Sequence, residues 1–202
     1  MPGVYILLAG PNAAGKTTVM KPLVEAEIKH YADPDRDFKG HDDLSPELVR
    51  KIAERDMPPE KAAVDVLREW FGNELIRKEG IATESNFATR KRDGERFRKA
   101  KEAGMTTKLY YIGLSFEKCL ERQRKRALEK EDDLVDDYTV TERFERSLKK
   151  INDHMNSGNV DVLKIYDNSG ARGEERLLLH VEHGETLFRD PEPPEWLDNA
   201  GV

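Results

Sequence analysis

The stretch Val4-Tyr5-Ile6-Leu7-Leu8-Ala9-Gly10-Pro11-Asn12-Ala13-Ala14-Gly15-Lys16-Thr17-Thr18 decides the fold. Its last nine residues match the phosphate-cradling pattern G-x-x-x-x-G-K-[ST] at every fixed position. The apolar run before them, with β-branched residues, reads as a buried strand entering the loop. After the loop, Val19, Met20, Leu23, Val24 and Ala26 recur at helical spacing over residues 16–27. Gly10 and Gly15 permit backbone angles that other residues avoid, so successive N–H groups can converge on one anion. The start of the following helix adds partial positive charge. In this pattern Lys16 reaches the β- and γ-phosphates of ATP, and the Thr17 hydroxyl sits on Mg²⁺.

Outward from the loop, strand-like and helix-like segments alternate. That pattern predicts an α/β fold of the P-loop NTPase type, a parallel sheet flanked by helices, in one domain over residues 1–202. Residues 28–32 read as a short second strand. Ser45 is placed to cap a helix starting at Pro46, and Met57-Pro58-Pro59 to break it. Residues 60–78 carry the longest helical pattern, ended by Gly80. Residues 81–83 read as a strand closing on Glu84, residues 93–103 as a basic helix stopping at Gly104, and residues 107–114 as a strand. Ser115 caps a helix carrying Cys119 and Leu120. Thr139 and Glu142 have the spacing of a capping box for a helix reaching about Met155. Residues 162–166 are the next strand. A C-terminal hairpin about Gly184 is predicted from residues 176–183 and 186–188. The tail, about residues 190–202, reads as extended, with Trp196 docked on the body.

Composition narrows the function classes. Of 202 residues, 37% are apolar and 37% charged, and the net charge is −6. The acidic balance argues against general nucleic-acid or anionic-membrane binding. A single cysteine, Cys119, excludes an intramolecular disulfide, and its place in an apolar helical stripe predicts a buried thiol. The apolar start is only a strand long and lacks a basic leader, and no segment approaches a membrane span, so a cytoplasmic location is expected.

A phosphate loop alone allows a kinase, a hydrolase, a GTP switch or a motor, and three features favour a kinase for a small substrate. Asp33, Asp35 and Asp37 follow the second strand, expected beside the first, where a carboxylate can take the proton of an attacking hydroxyl. An Asp-rich solvated turn with Pro34 competes with that reading. Glu84, Ser85 and Asn86 close a strand, where ligands of open α/β sheets bind. Arg122, Arg124 and Arg126, then Arg143 and Arg146, flank the acidic residues 129–137. A helical lid over about residues 122–146 could carry them onto the phosphates, unless they simply pair with Glu121, Glu129, Glu142 and Glu145. His180 and His183 face opposite sides of a predicted strand, and His30, His41 and His154 have no ligand-spaced companions. Trp70-Phe71 reads as core. Arg90-Lys91-Arg92 with Arg96, Arg98, Lys99 and Lys101 reads as a solvated helix face.

In order and spacing these segments resemble the zeta-toxin-like P-loop kinases, which include UDP-N-acetylglucosamine kinases. The resemblance rests on the loop with its Pro11-Asn12, on Tyr31-Ala32-Asp33-Pro34-Asp35, and on Glu84-Ser85-Asn86-Phe87-Ala88. It continues through Tyr111-Ile112-Gly113-Leu114-Ser115, Cys119-Leu120-Glu121-Arg122 with Arg126, Arg143-Phe144-Glu145-Arg146, and Tyr166-Asp167-Asn168-Ser169-Gly170. It implies an ATP-dependent phosphotransferase acting on a hydroxyl. Asp35 would be its base, Glu84 and Asn86 would bind substrate, and Arg122, Arg126 or Arg143 would stabilise charge. An antitoxin partner is compatible with it. The family's Gly-Gly-His-x-Val-Pro lid is replaced here by Glu129-Lys130-Glu131-Asp132-Asp133-Leu134-Val135, and Asn86 stands where the family has Thr. Kinases for a nucleoside or an antibiotic, and a nucleotide-dependent switch or binding protein without an acceptor, are the alternatives.

Overall fold

The computed structural model describes residues 3–20, 24, 27–28, 30–32, 46–57, 59–77, 80–87, 90–130, 136–171, 174–198 and 200. Val4–Ala9 (β1) lies mid-sheet, between β3 (Ile81–Ser85) and β4 (Thr106–Gly113). The full order is β2-β3-β1-β4-β5-β6-β7, with β2 at His30–Ala32, β5 at Val162–Asp167, β6 at Arg176–Glu182 and β7 at Glu185–Arg189. The first five strands run parallel and the closing hairpin antiparallel. A parallel strand covered by helices on both faces is buried along its length. Accordingly Tyr5, Ile6, Leu7, Leu8 and Ala9 are all fully buried. The Tyr5 hydroxyl meets Thr83 Oγ1 at 2.9 Å, and its ring packs edge-on to Phe71 and Phe97. Burial pushes that phenol up to about 12.

One expectation about order is overturned. The second strand is not beside the first: β3 lies between them, and β2 pairs only with β3. Ile81 and Ala82 are fully buried and suit a central position, whereas three residues of β2 suffice for an edge.

The helices are α1 (Lys16–Met20), α2 (Pro46–Ala53), α3 (Pro59–Arg77), α4 (Arg90–Glu102), α5 (Phe116–Lys130), α6 (Asp137–Met155) and α7 (Glu195–Asp198). Basic α4 begins three residues earlier than expected. The cap of α6 also differs from the reading of its sequence. Asp136, not Thr139, is the N-cap; its carboxylate accepts from the Thr139 N–H at 2.8 Å and from the Thr139 hydroxyl at 2.7 Å. Aspartate is the stronger cap, and Glu142 turns away to pair with Arg146. The C-terminal hairpin is as expected, its turn made by His183 (φ 48°) and Gly184 (φ 84°), both left-handed. Trp196 docks as expected, though on a short helix: it is buried beside Tyr111 and Gly113, and its indole N–H reaches Asp167 Oδ1 at 3.3 Å. The place Ser45 would take as a cap lies outside the described residues. Among those residues no helix is long and apolar enough to cross a membrane.

Candidate functional site

The carboxyl ends of β1, β3, β4 and β5 converge around residues 10–18, the place where open α/β sheets bind ligands. Three left-handed residues shape the loop: Gly10 (φ 149°), Ala13 (φ 60°) and Gly15 (φ 90°). A Cβ on Gly10 would strike the backbone carbonyl of Ile112 on β4, and one on Gly15 would strike the side-chain amide of Asn168. The loop thus approaches its neighbours as only glycine allows. Pro11 and Ala14 are buried, Asn12, Ala13, Lys16 and Thr17 half-buried, and Thr18 exposed. Gly15 accepts the Val19 N–H at 2.9 Å, which starts the helical turn.

The loop carbonyls are held by donors. Lys16 Nζ donates to Gly10 O at 3.0 Å and to Pro11 O at 3.1 Å. Cys119 Sγ donates to Asn12 O at 2.9 Å, and Asn168 Nδ2 to Ala14 O at 2.8 Å. Cys119 is buried and free, as its place in the α5 stripe predicted. Burial pushes its thiol up to about 11 against the opposing charges of Lys16 and Arg122. The thiol therefore stays protonated and able to donate.

Glu84 and Ser85 pair in register with Leu8 and Ala9, one strand from the loop. Glu84 is buried and Asn86 half-buried. Behind them lies a buried polar network that the sequence did not reveal. Ser85 Oγ donates to Asp93 at 2.8 Å and accepts the Phe87 N–H at 3.0 Å. Arg96 lies 3.9 Å from Asp93 and over the Phe71 ring. It is therefore not part of a solvated face, although Arg92 and Arg98 are exposed as expected. Lys150 on α6 is buried and donates to the Phe87 carbonyl. His154, packed on Phe87 and Phe97, has its pKa lowered by burial. Helical spacing from His154 back to Lys150 was the available signal; their partners were not.

The arginines divide. Arg122 is half-buried and donates to the Asn168 carbonyl at 2.9 Å, so it braces the loop after β5. Arg124 pairs with Asp137 at 2.6 Å, linking α5 to α6 on the surface, and Arg146 pairs with Glu142. Arg126 is exposed on α5 and Arg143 half-buried on α6. Phe116 and Phe144 meet edge-on at 5.4 Å, and Tyr111 bonds Ser147 at 2.8 Å. Of the described side chains in the expected lid region, Gln123, Val140 and Phe144 are buried and the rest half-buried or exposed. Asp33, Asp35 and Asp37 lie outside the described residues, as do residues 131–135. Among the described residues no group of three or more His, Cys, Asp or Glu could hold a metal ion.

No protein-family model matches the chain, and no curated protein matches it. Solved structures do. The chain is similar to one in the AvrRxo1-ORF1:AvrRxo1-ORF2 complex with sulphate ions, with TM-score 0.61 and 16% identity over 91% of this chain and 60% of that one. The same complex with ATP gives 0.60 and 16%, over 91% and 60%. A chain from the PezAT chromosomal toxin–antitoxin system of Streptococcus pneumoniae gives 0.58 and 16%, over 86% and 71%. The chain spans about 60% of the length of the AvrRxo1 complex chains it matches. These likenesses establish a shared fold.

Proposed function

We propose that this chain binds ATP with Mg²⁺ and transfers the γ-phosphoryl group to a hydroxyl of a small molecule. The observation that carries the reading is the complete phosphate loop, turned by Gly10, Ala13 and Gly15 between β1 and α1. The fit to a nucleotide is supported by Gly10 and Gly15, which let the loop pack against Ile112 and Asn168 as only glycine allows, and by Lys16 over the loop. Thr17, first in line after Lys16, would hold Mg²⁺, which would supply neutralisation of the phosphate charge. Lys16 would bind the β- and γ-phosphates. Glu84 and Asn86 would hold the acceptor, one strand from the loop. Asp35 would take the hydroxyl proton as the acceptor oxygen bonds to phosphorus and the β–γ bridging P–O bond breaks, releasing ADP. Arg122, which also donates to the Asn168 carbonyl, Arg126 and Arg143 are the candidates for stabilising charge on the phosphates.

By resemblance, UDP-N-acetylglucosamine is the first acceptor to try. The acidic residues 129–137 favour a neutral or cationic hydroxyl compound instead, so a nucleoside and an aminoglycoside-type antibiotic belong in the same screen. The structures it resembles are complexes, one of them a toxin–antitoxin system, and we extend the reading to an inhibitory protein partner. The test is an acceptor screen with γ-labelled ATP on the wild type, Lys16→Ala and Asp35→Asn. Lys16→Ala is expected to abolish transfer while the unfolding midpoint holds. Asp35→Asn is expected to be more damaging than Asp33→Asn or Asp37→Asn. Equal turnover in wild type and Lys16→Ala refutes the kinase reading. Intact ATP binding with no acceptor and no effect of Asp35→Asn favours a switch.

A further inference from the structure

We propose that Asn168 and Cys119 are positioning residues that aim the phosphate loop's N–H groups at the anion, and that Arg122 acts through Asn168; this rests on the ATP-binding reading above. In a trans peptide the C=O and N–H point opposite ways. Whatever holds the Ala14 carbonyl therefore sets the direction of the Gly15 N–H. Whatever holds the Asn12 carbonyl sets the Ala13 N–H. Both carbonyls are held from outside the loop, Ala14 by the Asn168 amide at 2.8 Å and Asn12 by the Cys119 thiol at 2.9 Å.

The two donors are built in, not incidental. Asn168 is 4% exposed and Cys119 fully buried. Asn168 is fixed by three hydrogen bonds: its N–H donates to Gly113 O at 2.8 Å, its carbonyl accepts from Arg122 at 2.9 Å, and its side-chain NH₂ donates to Ala14 O. Lys118 and Ser169 brace the same turn, the first through the Ser169 carbonyl and the second through Asp167 Oδ1 at 2.7 Å. Gly15 packs where a Cβ would meet the Asn168 amide, so loop and amide fit each other. Without the amide, the Ala14 carbonyl is a buried acceptor lacking its donor. Gly15 offers no side chain to resist a flip of that peptide toward water, and the flip would carry the Gly15 N–H out of the concavity.

The test measures MgATP affinity by calorimetry, with thermal unfolding alongside, for wild type, Asn168→Ala, Asn168→Asp, Cys119→Ala, Cys119→Ser and Arg122→Ala. Asn168→Ala is expected to weaken MgATP by about tenfold or more, equivalent to about 1.4 kcal/mol. Arg122→Ala is expected to weaken it less, and to add nothing in the Asn168→Ala background. Cys119→Ser keeps a donor and is expected to bind better than Cys119→Ala. Asn168→Asp gives a signature that loss of packing alone does not. Its carboxylate repels the Ala14 carbonyl at pH 8, but its protonated form can donate. Its deficit relative to wild type is therefore expected to shrink as pH falls toward 5.5. Wild type that fails to bind MgATP overturns the ATP reading and this role with it. Wild type that binds while Asn168→Ala binds equally overturns the positioning role alone. If Asn168→Ala does not fold, a pH-independent deficit in Asn168→Asp, or equal binding by Cys119→Ala and Cys119→Ser, overturns it.

Discussion

Replacing Gly15 by Ala tests the packing of the loop against its neighbour. Gly15 sits at φ 90°, where an L side chain is strained, and its Cβ would overlap the Asn168 amide nitrogen. The backbone strain is worth about 1–3 kcal/mol. The overlap is with the end of a side chain, so it can be relieved, but only by withdrawing the donor from the buried Ala14 carbonyl, which is worth about 1–3 kcal/mol more. Gly15→Ala is therefore expected to lose about 2–6 kcal/mol, much of a typical domain's stability. Asn168→Ala alone loses only the hydrogen bond and the amide's packing. In the double variant the overlap is gone and the bond is lost once, so the two losses do not add. The coupling is expected at about 1–3 kcal/mol, read by urea unfolding of all four proteins. Additivity within about 0.3–0.5 kcal/mol would refute the argument, because it would mean the two groups do not share the space or the bond. Gly10→Ala is the contrast: its obstacle is the Ile112 backbone carbonyl, which no side-chain deletion removes.

Five further outcomes follow from the packing. Burial holds His154 below its usual 6.5, with Asp93, Asp153 and Lys150 acting on it, so the unfolded chain takes up that proton first. Stability from neutral His154 is then full above about 6.5 and falls as pH drops through the folded value; urea midpoints between pH 7 and 5 should slope, and His154→Gln should flatten the slope. Asp161 and Glu27 are held below 3.8 and 4.5 by their hydrogen bonds with Lys101 and Lys108 despite partial burial, so their contribution is lost only at lower pH. Trp196→Ala removes a buried indole and is expected to lose about 3–5 kcal/mol in the same assay. Asp136→Ala should destabilise more than Thr139→Ala, since the carboxylate holds both the Thr139 N–H and its hydroxyl. Arg124→Ala breaks an exposed pair and should change the midpoint by about 0–1 kcal/mol.

The loop was legible because its chemistry is local: glycines, lysine and threonine at fixed spacing after an apolar strand leave little else to build. The parallel class and the hairpin about Gly184 were legible for the same reason. Strand order was not. β3 lies between β1 and β2 because of pairing between segments 76 and 51 residues apart, and no local pattern in residues 28–32 states which edge they take. The cap of α6 was misread at Thr139 because Asp136 and Asp137 sit in an acidic run that resembles solvated lid. Arg96 looked like one of many surface cations until Asp93 and Phe71 were seen beside it. Asn168 offered one sequence signal, a polar residue directly after an apolar strand. Its partner lay too far along the chain to read.

The separation between Ala14 and Asn168 is 154 residues, and that between Asn12 and Cys119 is 107. Contacts so distant in sequence close late, because the chain between them must be ordered before they can form. On that ground the phosphate cradle is expected to form in the last stages of folding. A refolding chain should regain its helical circular dichroism before it regains affinity for MgATP, and a collapsed species with its sheet only partly paired should carry the motif in full and hold no nucleotide. Nucleotide binding would then serve as a clock for the completion of the fold.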